Sequence, residues 1–170
     1  YNFVFGVDGS GAEAVMAPYG GMRNPTTIES LQEVEVEPGV IRKGTDMIVR
    51  GMDVCGFAIK RPPCSIKEFV EAFNVDLEKI DYLLLHQANK YMCENIAKKL
   101  KFPPEKTPYN IQKFGNTSGT SIPLLMVTEL REKLQTKKLS LLATGFGVGL
   151  SLGSVYFETD NIKVPELIEI

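Results

Sequence analysis

The sequence predicts a mixed α/β fold, a sheet with helices packed on its faces. Three observations point there. After a β-rich N-terminal stretch, apolar runs of strand length alternate with segments of helical periodicity, in the order strand, helix, strand, helix, strand, strand. The run "IDYLLLHQ" is apolar at consecutive positions, which asks for cover on both faces of a strand. A chain of 170 residues, 44% hydrophobic and 24% charged, can bury a real core as one domain or as part of a larger one.

The opening "NFVFGVDGSGAEAVMAPYGGMRNP" reads as strand, glycine-rich turn, strand and a loop closing at Pro25. In "SLQEVEVEPGVIRKG", Val34, Val36 and Val40 recur on a period of two among charges, the pattern of an exposed strand or hairpin. Residues 51–60 fit helix and strand equally. "PPCSIKEFVEAFN" predicts a helix capped by Ser65, with Glu68 at the capping-box position and Ile66, Phe69, Val70 and Phe73 on its apolar face. After the apolar strand, Ala88, Met92, Ile96 and Leu100 recur every fourth residue, with Cys93 and Ala97 beside them, so a second helix runs to "FPP". A short strand is expected near "TPYNI", followed by the loop "KFGNTSGTSIP". Pro123 suits the first turn of a third helix, whose stripe is Ile122, Met126, Leu130 and Leu134 and whose Glu129 and Lys133 form an i, i+4 pair. "LSLLATGFGVGLSLGSVYFE" is strand, glycine turn, strand, and "TDNIKVPELIEI" is one more short strand or a frayed end.

Composition excludes several classes. A net charge of −2 leaves no basic footprint for nucleic acid. No apolar run approaches the roughly 18 residues that would cross a membrane. "YNFVFG" has no basic region ahead of an apolar core, so it is no signal peptide. It reads as a strand entered midway, and the expectation is that the chain was cut from something longer. Cys55, Cys64 and Cys93 form no CxxC pair, an odd and scattered set that suits a reducing cytoplasm.

Four kinds of chemistry can be weighed from the residues. "GVDGSG" (Gly6 to Gly11) and "GFGVG" (Gly145 to Gly149) look like phosphate loops, but each leads into a strand and neither has a Lys-Ser/Thr. They read as tight turns needing positive φ, and the second could also let a substrate carbonyl approach a backbone N–H. One histidine and three dispersed cysteines give no metal-ligand spacing, and no G-x-S-x-G elbow is present. His86 remains. It stands at the end of a strand before a helix, where α/β sheets place their sites. Asn116 stands at the corresponding junction one unit later. An imidazole beside a carboxamide can polarise one carbonyl oxygen from two sides. The plainer readings are a packed core histidine and a turn asparagine.

Three motifs in order carry a resemblance: "HQAN" at His86–Asn89, "GNTSGTSIP" at Gly115–Pro123 and "GFGVGLSLG" at Gly145–Gly153. Together they closely resemble the C-terminal half of the β-ketoacyl-acyl carrier protein synthase III family of the thiolase superfamily. "GVDGSGAEAVMAP" resembles the strand-turn-strand that opens that half, and the similarity is weakest over residues 24–50. The resemblance implies a thiolase-like fold, with residues 1–170 forming the C-terminal domain as a mixed five-stranded sheet with helices on its faces. It implies an acyltransferase of fatty acid biosynthesis. A cysteine in an N-terminal half takes an acyl group from acyl-CoA or acyl-carrier protein. Malonyl-carrier protein then loses CO₂, and its carbanion attacks the acyl-cysteine to give 3-oxoacyl-carrier protein.

On this resemblance His86 and Asn116 are the histidine and asparagine of a Cys-His-Asn constellation, holding the enolate charge on the malonyl thioester carbonyl. Gly147, Val148 and Gly149 match a loop whose backbone helps form a second oxyanion hole, Val148 standing where the family often has glycine. Gln87, Asn89, Lys90 and Tyr91 match the contact with an acidic acyl carrier protein and its pantetheine arm, Asn89 also capping the helix. Better-known members carry a basic residue at the position of Tyr91. No cofactor or metal is implied, and a homodimer is implied for the full-length protein. None of the three cysteines matches the family nucleophile, so the 170 residues alone are expected to be inactive in condensation. Two other readings stand beside this one: a non-catalytic partner subunit of the same fold, and a specialised polyketide or acyl-transfer ketosynthase.

Overall fold

Leu83 and Leu85 enter one hydrophobic cluster and Leu84 another, and that alternation sets the architecture. The strand carrying them is covered on both faces, as its unbroken apolar run requires. The computed structural model describes residues 2–168. In chain order its strands and helices are β1 (Asn2–Val7), β2 (Val15–Met16), β3 (Val34–Glu37), β4 (Val40–Arg42), β5 (Ile48–Val49), α1 (Gly51–Phe73), β6 (Tyr82–Leu85), α2 (Lys90–Leu100), α3 (Ile111–Phe114), α4 (Ser121–Glu129), α5 (Arg131–Thr136), β7 (Lys138–Gly147) and β8 (Ser151–Asp160).

The main sheet has the order β1-β8-β7-β6. β7 runs parallel to β6, while β8 is antiparallel to both β7 and β1, so the sheet is mixed. On one face, Phe57, Ile66 and Phe69 of α1 and Met92, Cys93 and Ile96 of α2 share a core with Leu142, Phe146 and Leu152. On the other, Leu125, Leu130 and Leu134 from α4 and α5 pack with Leu84, Leu139, Leu141 and Ala143. β2 pairs with β5, and β3 with β4 as the exposed hairpin expected from the valine alternation.

Several expectations are corrected. Among the described residues the sheet has four strands, not five. The segment near "TPYNI" contributes none: Pro103, Pro104 and Pro108 withhold N–H groups, and the Asn110 N–H donates instead to the Gln87 side chain. Ser65 caps nothing, because α1 begins at Gly51 and runs through Pro62 and Pro63, leaving Ser65 buried inside it. Residues 51–60 are therefore helical, with Phe57 and Ala58 in the core. Pro63 cannot donate to the carbonyl of Ile59, and Lys99 of α2 donates its Nζ to that oxygen at 2.8 Å. A helix that would break in isolation is completed by its neighbour.

The third helix is divided at Leu130 (φ −122°) into α4 and α5, and Lys133 donates to Tyr82 Oη at 2.6 Å rather than pairing with Glu129. "GVDGSG" holds no glycine with positive φ. Asp8 caps a short 3₁₀ turn there, and Gly11 is needed because a Cβ would lie 2.4 Å from Leu150 Cδ1. Past β8, residues 161–168 form no strand, although Val164 is buried against the second core. The final two residues of the expected tail lie outside the described residues.

Candidate active site

β6 ends at Leu85, and His86 extends its ladder by one bond, its N–H donating to Thr144 O at 2.9 Å. The His86 carbonyl accepts from Ala88 N and from Cys93 Sγ. The backbone is thus held from three sides, and the half-buried imidazole meets the edge of Phe146 at 5.4 Å between ring centroids. Asn89 then caps α2, its Oδ1 accepting from Met92 N at 2.8 Å, as its place before the helix predicts.

Asn116 arrives by a different route. The one-turn helix α3 ends at Gly115, whose φ of +66° is open to glycine at little steric cost. Asn116 follows, exposed, with Oδ1 accepting from Ser118 N at 2.9 Å. That bond assigns the oxygen of the carboxamide and leaves the Nδ2 donor without a protein acceptor among the described residues. The chain then turns through Ser118–Thr120 into α4, whose first residue, Ser121, lies 2.7 Å by its Oγ from His86 Nδ1.

His86, Asn116, Gly147 and Val148 line one cleft of about 1230 Å³. Phe3, Phe5, Val7 and Val49 form its apolar wall, and among the described residues no Asp, Glu, Lys or Arg lines it. Gly149, φ +138°, makes the turn behind Val148 and does not line the cleft. Val148 is 62% exposed, its side chain directed away from the core, while its carbonyl accepts from Ser151 Oγ at 2.6 Å.

Burial pushes the His86 proton affinity below its ordinary 6.5, and the Ser118 backbone pulls weakly the other way. In the unfolded chain the ring takes up its proton near 6.5; in the folded chain it does so only at lower pH. The unfolded state therefore binds more protons as pH falls through 6.5, and stability declines from there down to the lowered folded value. Urea midpoints should fall more from neutral to mildly acidic pH in the wild type than in His86→Gln. Equal slopes would contradict this.

The expected carrier-protein residues divide. Asn89, Lys90 and Tyr91 are exposed on the first turn of α2, outside the cleft. Lys90 lies over the Tyr109 ring and holds Glu94 at 3.6 Å, and the Tyr109 side chain first, then the Glu94 carboxylate, favour its charged form. Gln87 is corrected outright. It is 1% exposed, its Nε2 donates to Leu85 O at 2.8 Å and its Oε1 accepts from Asn110 N at 3.2 Å, so no part of it is free for a partner. Asn110 in turn donates to Thr128 Oγ1. Gln87 is therefore a strut between the end of β6 and the segment leading to Asn116. Gln87→Ala strands a buried carbonyl and a buried N–H, and should cost roughly 1–3 kcal/mol in denaturant unfolding. A change within about 0.3 kcal/mol would rule the strut out.

The cysteines behave as structural residues. Cys93 is buried and its thiol is pushed up to about 12 by desolvation. Cys55 packs half-buried against the first core and Cys64 is exposed on α1. None of them lines the cleft. Sequence reasoning missed Ser121 and Phe146, because a serine before Ile-Pro and a phenylalanine between glycines carry no signal until the fold sets them against the imidazole.

With this geometry in hand, known proteins can be compared. Residues 70–159 match the family described as 3-Oxoacyl-[acyl-carrier-protein (ACP)] synthase III C terminal. The chain belongs to this family. A Beta-ketoacyl-[acyl-carrier-protein] synthase III of Trichodesmium erythraeum (strain IMS101) is 35% identical over 156 residues, covering 92% of this chain and 45% of the relative. A synthase III of Limosilactobacillus reuteri (strain DSM 20016) is 41% identical over 105 residues, 62% of this chain and 32% of its own. The crystal structure of 3-oxoacyl-(acyl-carrier protein) synthase from Burkholderia xenovorans LB400 matches with a TM-score of 0.85 at 32% identity, over 99% of this chain and 46% of that one. The priming β-ketosynthase of the R1128 polyketide pathway, 20% identical with a TM-score of 0.74, shares the fold. The chain spans less than half the length of these relatives. The mixed sheet between helical layers is thus the thiolase-like arrangement of synthase III proteins, and the matched residues include His86, Asn116 and the turn at Gly147–Gly149. Among the described residues, no helix is long and apolar enough to cross a membrane.

Proposed function

We propose that this chain is the C-terminal half of a condensing enzyme that joins an acyl group to malonyl-acyl carrier protein with loss of CO₂. The observation that carries the reading is that His86, at the end of β6, and Asn116, in the turn between α3 and α4, line one cleft. Each is held on its far side, His86 at Nδ1 by Ser121 and Asn116 at Oδ1 by Ser118, so each offers a nitrogen as the remaining polar group. Two N–H donors set toward one thioester oxygen would take up the negative charge as the malonyl carboxylate leaves. The apolar wall adds to this, since a carboxylate desolvated there loses hydration that the dispersed charge of the transition state needs less. A subunit relieved of chemistry has no use for both donors, which favours the catalytic reading over a silent partner.

On this reading the acyl-carrying cysteine lies outside these 170 residues, and the isolated domain is inactive in condensation. The turn at Gly147–Val148 supplies a backbone N–H beside the acyl-cysteine. The exposed first turn of α2, with Asn89, Lys90 and Tyr91, receives the pantetheine arm and an acidic carrier protein. The full-length protein acts as a homodimer in the cytoplasm, taking acyl-CoA or acyl-carrier protein as its other substrate. The test is CO₂ release from malonyl-carrier protein by the full-length protein, compared with His86→Ala and Asn116→Asp. Wild-type rates in either variant would overturn the proposal.

A further inference from the structure

Neutral imidazole exists as two tautomers, and only one of them presents an N–H at Nε2. The proposed chemistry needs that N–H, so something in the fold has to choose. Ser121 Oγ lies 2.7 Å from His86 Nδ1, and Ser121 is 2% exposed. At this distance either atom could be the donor, and the surroundings decide which.

Within a helix a serine hydroxyl can turn back to the carbonyl four residues earlier, and Ser121 opens α4 directly after a 3₁₀ turn. Here that carbonyl, Thr117 O, already accepts from Thr120 Oγ1 at 2.7 Å and from Thr120 N at 3.3 Å. Among the described residues, the Ser121 hydroxyl has His86 Nδ1 as its one side-chain hydrogen-bond partner. If Nδ1 carried the proton, Ser121 Oγ would accept it and its own hydroxyl hydrogen would be buried without an acceptor, which is unfavourable. If the hydroxyl donates, Nδ1 is unprotonated and both the buried hydroxyl and Nδ1 are satisfied. A neutral ring must then carry its proton on Nε2.

We infer that Ser121 is the positioning residue that selects the Nε2–H tautomer of His86 by donating its hydroxyl hydrogen to Nδ1. It lies at the cleft lining but is 2% exposed, and its one side-chain hydrogen-bond partner among the described residues is the imidazole through which it acts. The Ser118 backbone favours a protonated ring without selecting between its two nitrogens. The inference deepens the proposed function, resting on it for the use of the N–H and not for the tautomer, which is measured without substrate.

The experiment uses the full-length protein with ¹⁵N-labelled histidine, above neutral pH, the His86 ring resonances being assigned by their loss in His86→Gln. Wild type is expected to show a protonated Nε2 and a hydrogen-bonded, unprotonated Nδ1. In Ser121→Ala the Nδ1 resonance should move to that of a free acceptor and the second tautomer should appear. Turnover in malonyl decarboxylation should fall about tenfold, with KM little changed. Ser121→Thr, which keeps the hydroxyl, should restore both. A proton on Nδ1 in the wild type overturns the inference even if no variant folds, and so do ring resonances indifferent to Ser121→Ala. The expected resonances together with a decarboxylation rate indifferent to His86 would support the tautomer assignment and count against the proposed function alone.

Discussion

Replacing His86 with alanine is expected to slow malonyl-carrier decarboxylation by roughly 100-fold or more. On the proposed reading the carboxylate would leave as CO₂ with its electrons moving onto the thioester oxygen, so the charge to be stabilised would appear in the transition state and be weak in the ground state. A donor fixed in advance pays its ordering cost during folding, and His86 is fixed by its ladder bond to Thr144, its carbonyl's two acceptor contacts and Ser121. The loss should therefore appear in turnover more than in KM. Asn116→Asp is expected to be at least as damaging. It replaces the Nδ2 donor by an oxygen and adds a negative charge to a cleft that no Lys or Arg among the described residues lines. Its Ser118 anchor would survive, since a carboxylate oxygen accepts as well as a carboxamide oxygen. Steady-state CO₂ release on the three full-length proteins checks both, and a less than tenfold effect at either position would remove that residue from the site.

Leu142→Ala should have the largest effect on stability. Leu142 is 0% exposed on β7, paired with Leu83 of β6 on one side and Tyr156 of β8 on the other. Strand pairing on both edges and helical cover leave little room for the backbone to collapse into the space the side chain vacates. The expected cost is about 2–5 kcal/mol, a large share of the roughly 5–15 kcal/mol that holds a typical domain together. Ile41→Ala on the exposed β3–β4 hairpin is the control, as Ile41 is 64% exposed and should change stability by only about 0.5 kcal/mol. Denaturant midpoints of the three proteins test it. Similar midpoints for Leu142→Ala and wild type would mean that β7 is not the centre of the core.

Two residues that line the cleft were legible before any coordinates. His86 stood out as a polar residue ending an apolar run; Asn116 was placed after a further strand that the structure does not contain. Gln87, its neighbour in "HQAN", was misread, because adjacent residues at a strand end face opposite ways: His86 meets the cleft while Gln87 is sealed against Asn110. The helix start at Ser65 was misread for a related reason. Two prolines signal an N-terminus locally, but the carbonyl that Pro63 leaves unpaired is satisfied by Lys99, a residue forty positions away in sequence. The strand near "TPYNI" failed because Pro108 has no N–H, the Thr107 N–H turns back to Pro104 O and the Asn110 N–H goes to the Gln87 side chain, not to a neighbouring strand.

What the sequence determined by itself was whatever depends on neighbours along the chain. Consecutive leucines dictate a strand buried on both faces, a four-residue apolar period dictates α2, and Gly115 and Gly149 permit turns that other residues resist. Hydrophobic period and backbone sterics act over a few residues, so they can be read from order alone. Only the tertiary structure decided that α1 runs unbroken through its prolines, that the sheet has four strands, and that a serine thirty-five residues beyond the histidine sits against its Nδ1. Those outcomes depend on which buried polar group finds a partner, and that partner is supplied by whatever element the packing brings alongside.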